Sequence, residues 1–310
     1  MAHNRTDVDG HFRYWKFRAF PTLIAAPLFV AVFAVTALAQ DVQAPQANVK
    51  SAVTNSSNST ADASMTLTDS PNNATNTAND PATPHRQILL QNYFVPSSDG
   101  YDGRSADQQL LKLFLPVKLF GVQNSFRIYQ PIATSPLFPD GRNAGFGDTT
   151  VYDLALHEVS RFTVGAGPLL VLPVASHKDI GAGKWQAGVA GVVSTKSSFG
   201  LIAAVITYQH SFSGYGSDRP EVNLVTVQPL VFYNLKKHYY LRSSGFWNLN
   251  YGDHVSQIPV GFGAGKVWSL ASGTVINFYL EPQYSVYHTG TGAPIWQIVS
   301  GLVFTFPTRH

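Results

Sequence analysis

From Gln87 onward the chain alternates apolar and polar side chains in short segments, with no convincing helical period. The clearest segment spans Thr274–Tyr287. One of its faces carries Ile276, Phe278, Leu280, Tyr284 and Val286, and the other carries Asn277, Glu281, Gln283 and Ser285. A repeat of two residues is the pattern of a β-strand whose two faces meet different surroundings. Each segment also reaches about 9–11 residues, the length that a tilted strand needs to cross a bilayer.

This pattern predicts twelve strands, of which the first has the weakest alternation. They run approximately over 87–95, 109–119, 123–132, 145–158, 160–174, 183–196, 198–212, 220–235, 238–251, 256–268, 273–288 and 295–306. An even number of strands is typical of bacterial outer-membrane barrels, and the count is even only if 87–95 is a strand.

The connections between these segments alternate in length. Short ones fall at 121–122, 159–160, 196–197, 236–237 and 270–272, and longer polar ones at 96–108, 133–144, 175–182, 213–219, 252–255 and 289–294. Outer-membrane barrels have tight periplasmic turns and longer external loops. The alternation therefore predicts an all-β fold, an antiparallel transmembrane β-barrel of about 12 strands (range 10–14) with both barrel termini in the periplasm.

Composition agrees with a wall that faces lipid. Charged residues make up only 13% of the chain, whereas Phe, Tyr and Trp are abundant. Cysteine is absent, which excludes disulfides and thiolate-bound zinc. The net charge is +3 with scattered basic residues, so nucleic acid is not an expected partner.

The residues before Gln87 predict export and then disorder. Residues 1–39 have the basic start, the apolar stretch and the Ala37-Leu38-Ala39 cleavage pattern of a signal peptide, with an uncleaved membrane anchor as the alternative. Residues 40–86 are rich in Ser, Thr, Asn, Ala, Asp and Pro, and are predicted to be a disordered periplasmic segment because they have little apolar surface to bury. The barrel domain is then 87–310.

Alternation also assigns charged side chains to the lumen. The candidates are Lys112, Lys118, Arg127, Asp153, Arg161, Lys184, Lys196, Arg242 and Glu281. They can pair and fill the interior, or they can select solutes, in which case the excess of basic groups predicts a weak anion preference. Gly261, Gly263 and Gly265 lack the following helix of a phosphate loop, so a bend in the wall or the close approach of a plug explains them better.

Catalytic, cofactor-binding and metal-binding residues are not predicted. Asp153 and His157 are assigned to one face, but their positions on a strand lie about 13 Å apart. A channel for small solutes is therefore favoured over an outer-membrane hydrolase or lipid-modifying enzyme, and over a structural barrel with binding loops. The expected partners are outer-membrane lipids, the barrel-assembly machinery during biogenesis, and an unidentified small solute.

Several phrases occur in a characteristic order along the barrel segment. They are Phe146-Gly147-Asp148-Thr149, the run 165–173, Gly181-Ala182-Gly183-Lys184-Trp185, Val227-Gln228-Pro229 with Tyr233-Asn234-Leu235, and Ile258-Pro259-Val260-Gly261 with Gly265-Lys266-Val267. In this order they resemble the bacterial outer-membrane barrel family of the phenol meta-cleavage pathway and transporter type, over roughly 87–306. The resemblance implies an outer-membrane barrel with a role in solute passage, with aromatic or other apolar carbon sources as candidate solutes.

Overall fold

The computed structural model describes residues 71–100, 105–138, 141–177, 180–214, 219–290 and 292–307. The predicted signal peptide and the first part of the predicted disordered segment lie outside the described residues. One α-helix, α1, spans Pro71–Asn79, and a short 3₁₀ helix spans Lys236–His238. The strands are β1 (Gln87–Ser98), β2 (Ala106–Leu119), β3 (Val122–Phe138), β4 (Gly141–Phe146), β5 (Thr149–Tyr152), β6 (Ala155–Val159), β7 (Phe162–Leu172), β8 (Lys184–Lys196), β9 (Gly200–Gly214), β10 (Asn223–Asn234), β11 (Tyr239–Ser243), β12 (Trp247–Asn250), β13 (Ser256–Gly261), β14 (Gly263–Ser269), β15 (Val275–Thr289) and β16 (Pro294–Thr305).

These strands form one closed antiparallel barrel with twelve wall strands. Three wall strands are interrupted, because β4, β5 and β6 follow one another along one of them, β11 and β12 along another, and β13 and β14 along a third. The barrel closes through β1, in which Gln87 pairs with Phe114 of β2 on one side and Thr305 of β16 on the other. The predicted fold class is confirmed, including the weak first strand, which makes the closing pairs.

The outward face of the wall is mostly apolar, and the inward face combines polar and apolar side chains. From Val275 to Ser285 of β15, every second residue is buried in the barrel, and the residues between are partly or fully exposed on its outer surface. The inward face includes the polar side chains of Asn277, Glu281 and Gln283, whereas Phe278 and Leu280 point outward. The same buried face also carries Val275 and Tyr279, so the interior is mixed in polarity, whereas the exposed face is apolar, as is expected of a wall that faces lipid.

The short connections lie at one end of the barrel and the longer ones at the other. Phe120 and Gly121 both have positive φ, at 50° and 82°, as the two-residue turn between β2 and β3 requires. The structure differs from the sequence prediction at the connection expected over 133–144, because β3 and β4 continue to pair there, with Thr134 opposite Ala144.

The last residues before the barrel fill part of its interior. The segment 71–86, here called the plug segment, begins with α1 and contains ten buried residues with described side chains: Ala74, Thr75, Asn76, Thr77, Ala78, Asp80, Pro81, Ala82, Thr83 and His85. Disorder was expected here, and the structure instead has a helix packed against β9, β10, β14, β15 and β16. The reason is that small polar side chains can be buried where the receiving cavity supplies hydrogen-bond partners. Helices in the described part of the chain are too short or too polar to cross a membrane.

Candidate functional site: the lumen and its plug segment

The plug segment is bound to the barrel wall mainly through amide side chains. Asn234 of β10 donates a hydrogen bond to Asn76 at 2.9 Å, and Asn277 of β15 donates one to Asn79 at 3.0 Å. Ala78 and Ala82 supply the apolar contacts, within a cluster that includes wall residues such as Leu230. The helix contains several Asn and Thr residues, which have low intrinsic helix propensity, so its stability depends on these contacts with the wall.

An ion pair ties the end of the helix to the rim of the barrel. Asp80 lies 3.2 Å from the Lys196 ammonium, and Asp80 also accepts a hydrogen bond from the backbone N–H of Ala82. Burial lowers the pKa of nearby His85, and the positive charge of Lys196 lowers it further, while Asp80 acts in the opposite direction. Burial therefore favours the neutral form of His85, next to a paired acid and base.

A belt of charged side chains crosses the lumen above the plug segment. This charged belt consists of Lys112, Arg127, Arg242 and Glu281, all at most 5% exposed. The structure thus places four of the nine sequence candidates in the interior of the barrel. Lys112 and Arg127 lie on the neighbouring strands β2 and β3, while Arg242 and Glu281 lie on β11 and β15.

Arg242 and Glu281 form a fully hydrogen-bonded pair within this belt. The Arg242 Nε donates to Glu281 at 2.7 Å, and Glu281 also accepts from the backbone N–H and the hydroxyl of Ser244 and from the Gln283 amide. The Arg242 guanidinium lies 3.5 Å from the centroid of the Tyr279 ring. This pair is buried but satisfied, as a buried charge pair must be to persist in a folded protein.

Arg127 has neutral partners instead of an acid. Its Nε donates to the Ser125 hydroxyl at 3.2 Å, its Nη2 donates to the Pro81 carbonyl, and its guanidinium lies 4.1 Å from the centroid of the Phe114 ring. Tyr129 and Tyr152 share a hydrogen bond of 2.6 Å beside it. Because Pro81 belongs to the plug segment, Arg127 links the charged belt directly to the plug.

The remaining candidates lie away from the belt. Lys196 is at the rim and binds the plug segment, Lys184 begins β8 at the opposite end, and Lys118 is exposed near the end of β2. Arg161 is exposed in the turn before β7, over the Phe162 ring. Asp153 falls between the buried residues 152 and 154, and alternation therefore puts it on the opposite face from the lumen.

A cavity of about 510 Å³ occupies the lumen on the side of the belt away from the plug segment. Lys112, Tyr129 and Tyr152 line it near the belt, and Ile180 and Gly292 line it near the longer loops. A second cavity of about 70 Å³ lies between the belt and the plug segment, and both cavities are lined by Lys112 and Tyr129. The lumen is therefore wide on the loop side and nearly filled below the belt.

One acidic side chain fixes the loop beside the larger cavity. The Asp148 carboxylate accepts hydrogen bonds from the backbone N–H groups of Ala175 at 3.2 Å and Gly183 at 3.0 Å. Arg219 donates to the Gly181 carbonyl of the same loop at 2.8 Å. These bonds hold in place the loop that carries Ile180, so the two glycine-containing phrases around 146–149 and 181–185 act together at this end of the barrel.

Glycines of the wall make room for the large side chains of the lumen. A Cβ atom added to Gly265 would overlap the Tyr240 ring, one added to Gly301 would overlap the Tyr279 ring, and one added to Gly261 would overlap the Glu281 side chain. The repeated glycines of β13 and β14, for which a bend in the wall or the close approach of a plug is expected, instead lie against large side chains of the neighbouring strands. Their place on the inward face of a strand was the available signal, because a glycine there leaves space for a neighbouring side chain.

The described residues contain no group of three or more His, Cys, Asp or Glu side chains that could hold a metal ion. His157, the other half of the hydrolase alternative, is exposed on the same side of its strand as Asp153. The functional groups that the structure brings together are thus the charged belt, the plug segment and the larger cavity.

The chain matches no family model and no curated protein in sequence comparisons. Its structure is similar to the crystal structure of an outer membrane channel from Pseudomonas putida F1, with a TM-score of 0.56 and 13% sequence identity. The match covers 72% of this chain and 96% of that channel. At this level of identity the likeness concerns the fold, and the resemblance to the phenol meta-cleavage type stays a prediction. The chain therefore has the same barrel fold as a bacterial outer membrane channel.

Proposed function

We propose that this protein is an outer-membrane channel for small solutes, with aromatic or other apolar carbon sources as the candidate cargo. The proposal is supported mainly by the wall, whose exposed outer face is apolar, while its inward face encloses a cavity and carries buried polar side chains such as Asn277 and Glu281 of β15. Lipids of the outer membrane would cover the apolar face, and the barrel-assembly machinery would insert it. The likeness to an outer membrane channel supports the same role.

The solute would enter the larger cavity and stop at the charged belt. Below the belt, the plug segment fills the lumen, so passage requires this segment to move. Its amide hydrogen bonds through Asn76 and Asn79 and its ion pair through Asp80 can all be replaced by water. We propose that the plug segment is a displaceable stopper and that the closed structure is one of two states of the channel.

The orientation follows from the connections. The first and last strands of the barrel lie side by side, and Phe306, after β16, donates its backbone N–H to the carbonyl of Arg86, before β1, at 2.9 Å. This contact lies at the rim that has the short turns. We propose that this end is periplasmic. The chain has no cysteine, so single cysteines report the orientation cleanly. On intact cells a membrane-impermeant maleimide should label Asp253→Cys in a longer loop and leave Ser198→Cys in a short turn unlabelled; the reverse pattern would invert the barrel.

Conductance tests the channel itself. The full chain in planar bilayers should show rare openings, and a variant that lacks residues 71–83 should conduct continuously and let neutral sugars swell liposomes. The same preparations should migrate faster on gels before boiling than after, which checks that the barrel is folded. A folded variant without residues 71–83 that neither conducts nor swells liposomes would refute the channel role.

A hydrolytic role has less support. Its two candidate residues, Asp153 and His157, alternate onto the outward side of the wall, away from the cavity. A nucleophile, a base and an orienting group within hydrogen-bond distance are the minimum for such chemistry.

A further inference from the structure

Lys112 is a buried cation without an acidic partner. It is 4% exposed, and its ammonium lies 4.7 Å from the centroid of the Tyr129 ring and 4.9 Å from that of the Phe246 ring. Among the described residues, no carboxylate is within ion-pair distance of Lys112 and no hydrogen-bond acceptor is bound to it. Two aromatic faces offset only part of the cost of burying this charge.

The surroundings of Lys112 add positive charge. Of the charged belt, Glu281 is hydrogen-bonded to Arg242, whereas Lys112 and Arg127 have no acid, so three cations face one anion and the excess is two. Asp80 lines the smaller cavity but is paired with Lys196. A narrow lumen with an excess of one sign of charge concentrates ions of the other sign.

The larger cavity has apolar and aromatic side chains in its walls, next to the Lys112 ammonium. Its walls include Leu110, Leu169, Val205 and Leu224, together with the rings of Tyr93, Tyr129, Tyr152 and Phe246. Its volume of about 510 Å³ is within the range of small-molecule sites. Asp107, the acid near its rim, is exposed and bound to Asn92 at 2.5 Å. The cavity thus combines apolar and aromatic walls, neutral polar side chains such as Gln209 and Asn248, and one cationic end.

We propose that this cavity binds a small organic monocarboxylate, with its apolar body between the walls and its carboxylate on the Lys112 ammonium. This inference rests on the proposed channel function and names the chemical class of the solute. Lys112 is the only cation of the charged belt that lines this cavity, and its single positive charge is neutralised by one carboxylate, whereas a phosphate monoester carries close to two negative charges near pH 7. Arg127, the neighbouring guanidinium, is already bound to Ser125 and Pro81.

Calorimetry on the detergent-solubilised full chain tests the site, with benzoate as the probe and benzyl alcohol as its neutral counterpart. Lys112→Met should weaken benzoate binding at least about tenfold, because it removes a charge-assisted hydrogen bond, and should leave benzyl alcohol unaffected. Lys112→Arg keeps the charge and should retain benzoate binding. Lys118→Met is the matched control, since Lys118 is on the same face of β2 but exposed, and it should bind as the parent does.

Three results would overturn the proposal: no benzoate binding to the parent chain, equal binding by a folded Lys112→Met or Lys112→Gln variant, or displacement of benzoate by an equal concentration of chloride. Swelling of liposomes by neutral sugars, measured with the variant lacking residues 71–83, separates this outcome from failure of the channel. Swelling without Lys112-dependent binding would support the channel function and refute the carboxylate site. Binding that depends on Lys112, without any swelling, would support the carboxylate site and refute the channel function.

Discussion

Replacement of Glu281 by leucine removes the only acid of the charged belt. Glu281 is fully buried and accepts four hydrogen bonds, from Arg242 at 2.7 Å, from the backbone and hydroxyl of Ser244 at 2.8 and 2.6 Å, and from Gln283 at 2.9 Å. The variant would leave the Arg242 guanidinium buried with no counter-charge. The guanidinium would keep its hydrogen bond to the Ser244 hydroxyl and its contacts with the faces of the Tyr279 and Phe232 rings, all of them neutral.

The loss in the free energy of unfolding can be estimated from the charge of Arg242 that stays buried. Removal of one member of a buried ion pair typically destabilises a protein by about 3–5 kcal/mol, because an uncompensated charge stays buried. Removal of both members should restore much of the lost stability, because apolar side chains of similar volume can replace a buried ion pair with little loss. We therefore expect Glu281→Leu to lower the free energy of unfolding by about 3–5 kcal/mol, and the double variant with Arg242→Met to lose much less.

Reversible unfolding in urea, with lipid vesicles present for refolding, measures these differences. Glu158→Leu is the control, because Glu158 is exposed near a turn and should have little effect on stability. Two results would contradict this account of the pair: a loss of less than about 1 kcal/mol in Glu281→Leu, or a double variant as unstable as the single one. Either result would mean that water or another group compensates Arg242 in the lumen.

Three further predictions concern the plug segment and the wall. A disulfide formed between Asn76→Cys and Asn234→Cys should hold the channel closed until a reductant is added, and unchanged openings before reduction would show that the segment does not move. Gly265→Val should cost about 1–3 kcal/mol in urea unfolding, since its side chain overlaps the Tyr240 ring, and an unchanged midpoint would contradict this packing. Burial lowers the pKa of His85, so the unfolded chain takes up its proton first as the pH falls. The contribution of neutral His85 to the free energy of unfolding should be complete above about pH 6.5 and be lost as the pH falls through the lower pKa of the folded state. Urea unfolding at a series of pH values measures this dependence, and His85→Gln should make it weaker.

The barrel was predictable because its signals are local. Alternation along 273–288 is a property of consecutive residues, and it predicts both that β15 is a strand and that Asn277 and Glu281 share its inward face. Connection length is also local, and it was enough to predict the order and the number of the wall strands. The lumen position of Lys112, Arg127, Arg242 and Glu281 follows from the same repeat of two residues.

The plug segment was not predictable by this reasoning. Its composition has few apolar side chains, and such a segment is expected to stay disordered when its surroundings are water. The same composition fits a lumen in which Asn234 and Asn277 supply hydrogen bonds, but these partners are about 160 and 200 residues away in the chain. The sequence also placed Asp153 in the lumen, whereas its neighbours 152 and 154 are the buried ones.

By itself the sequence determined the all-β class, the number of wall strands and which face of most strands is polar, because each of these depends on neighbouring residues. Only the tertiary structure decided which charges meet. It paired Arg242 with Glu281 across 39 positions, put the carbonyl of Pro81 on Arg127, and left Lys112 between two aromatic rings with no acid. The physical reason is that closure of the barrel brings strands that are distant in sequence around one narrow lumen. Burial of an unpaired charge there costs free energy, so the pairing of these side chains depends on the closed barrel and not on neighbouring residues.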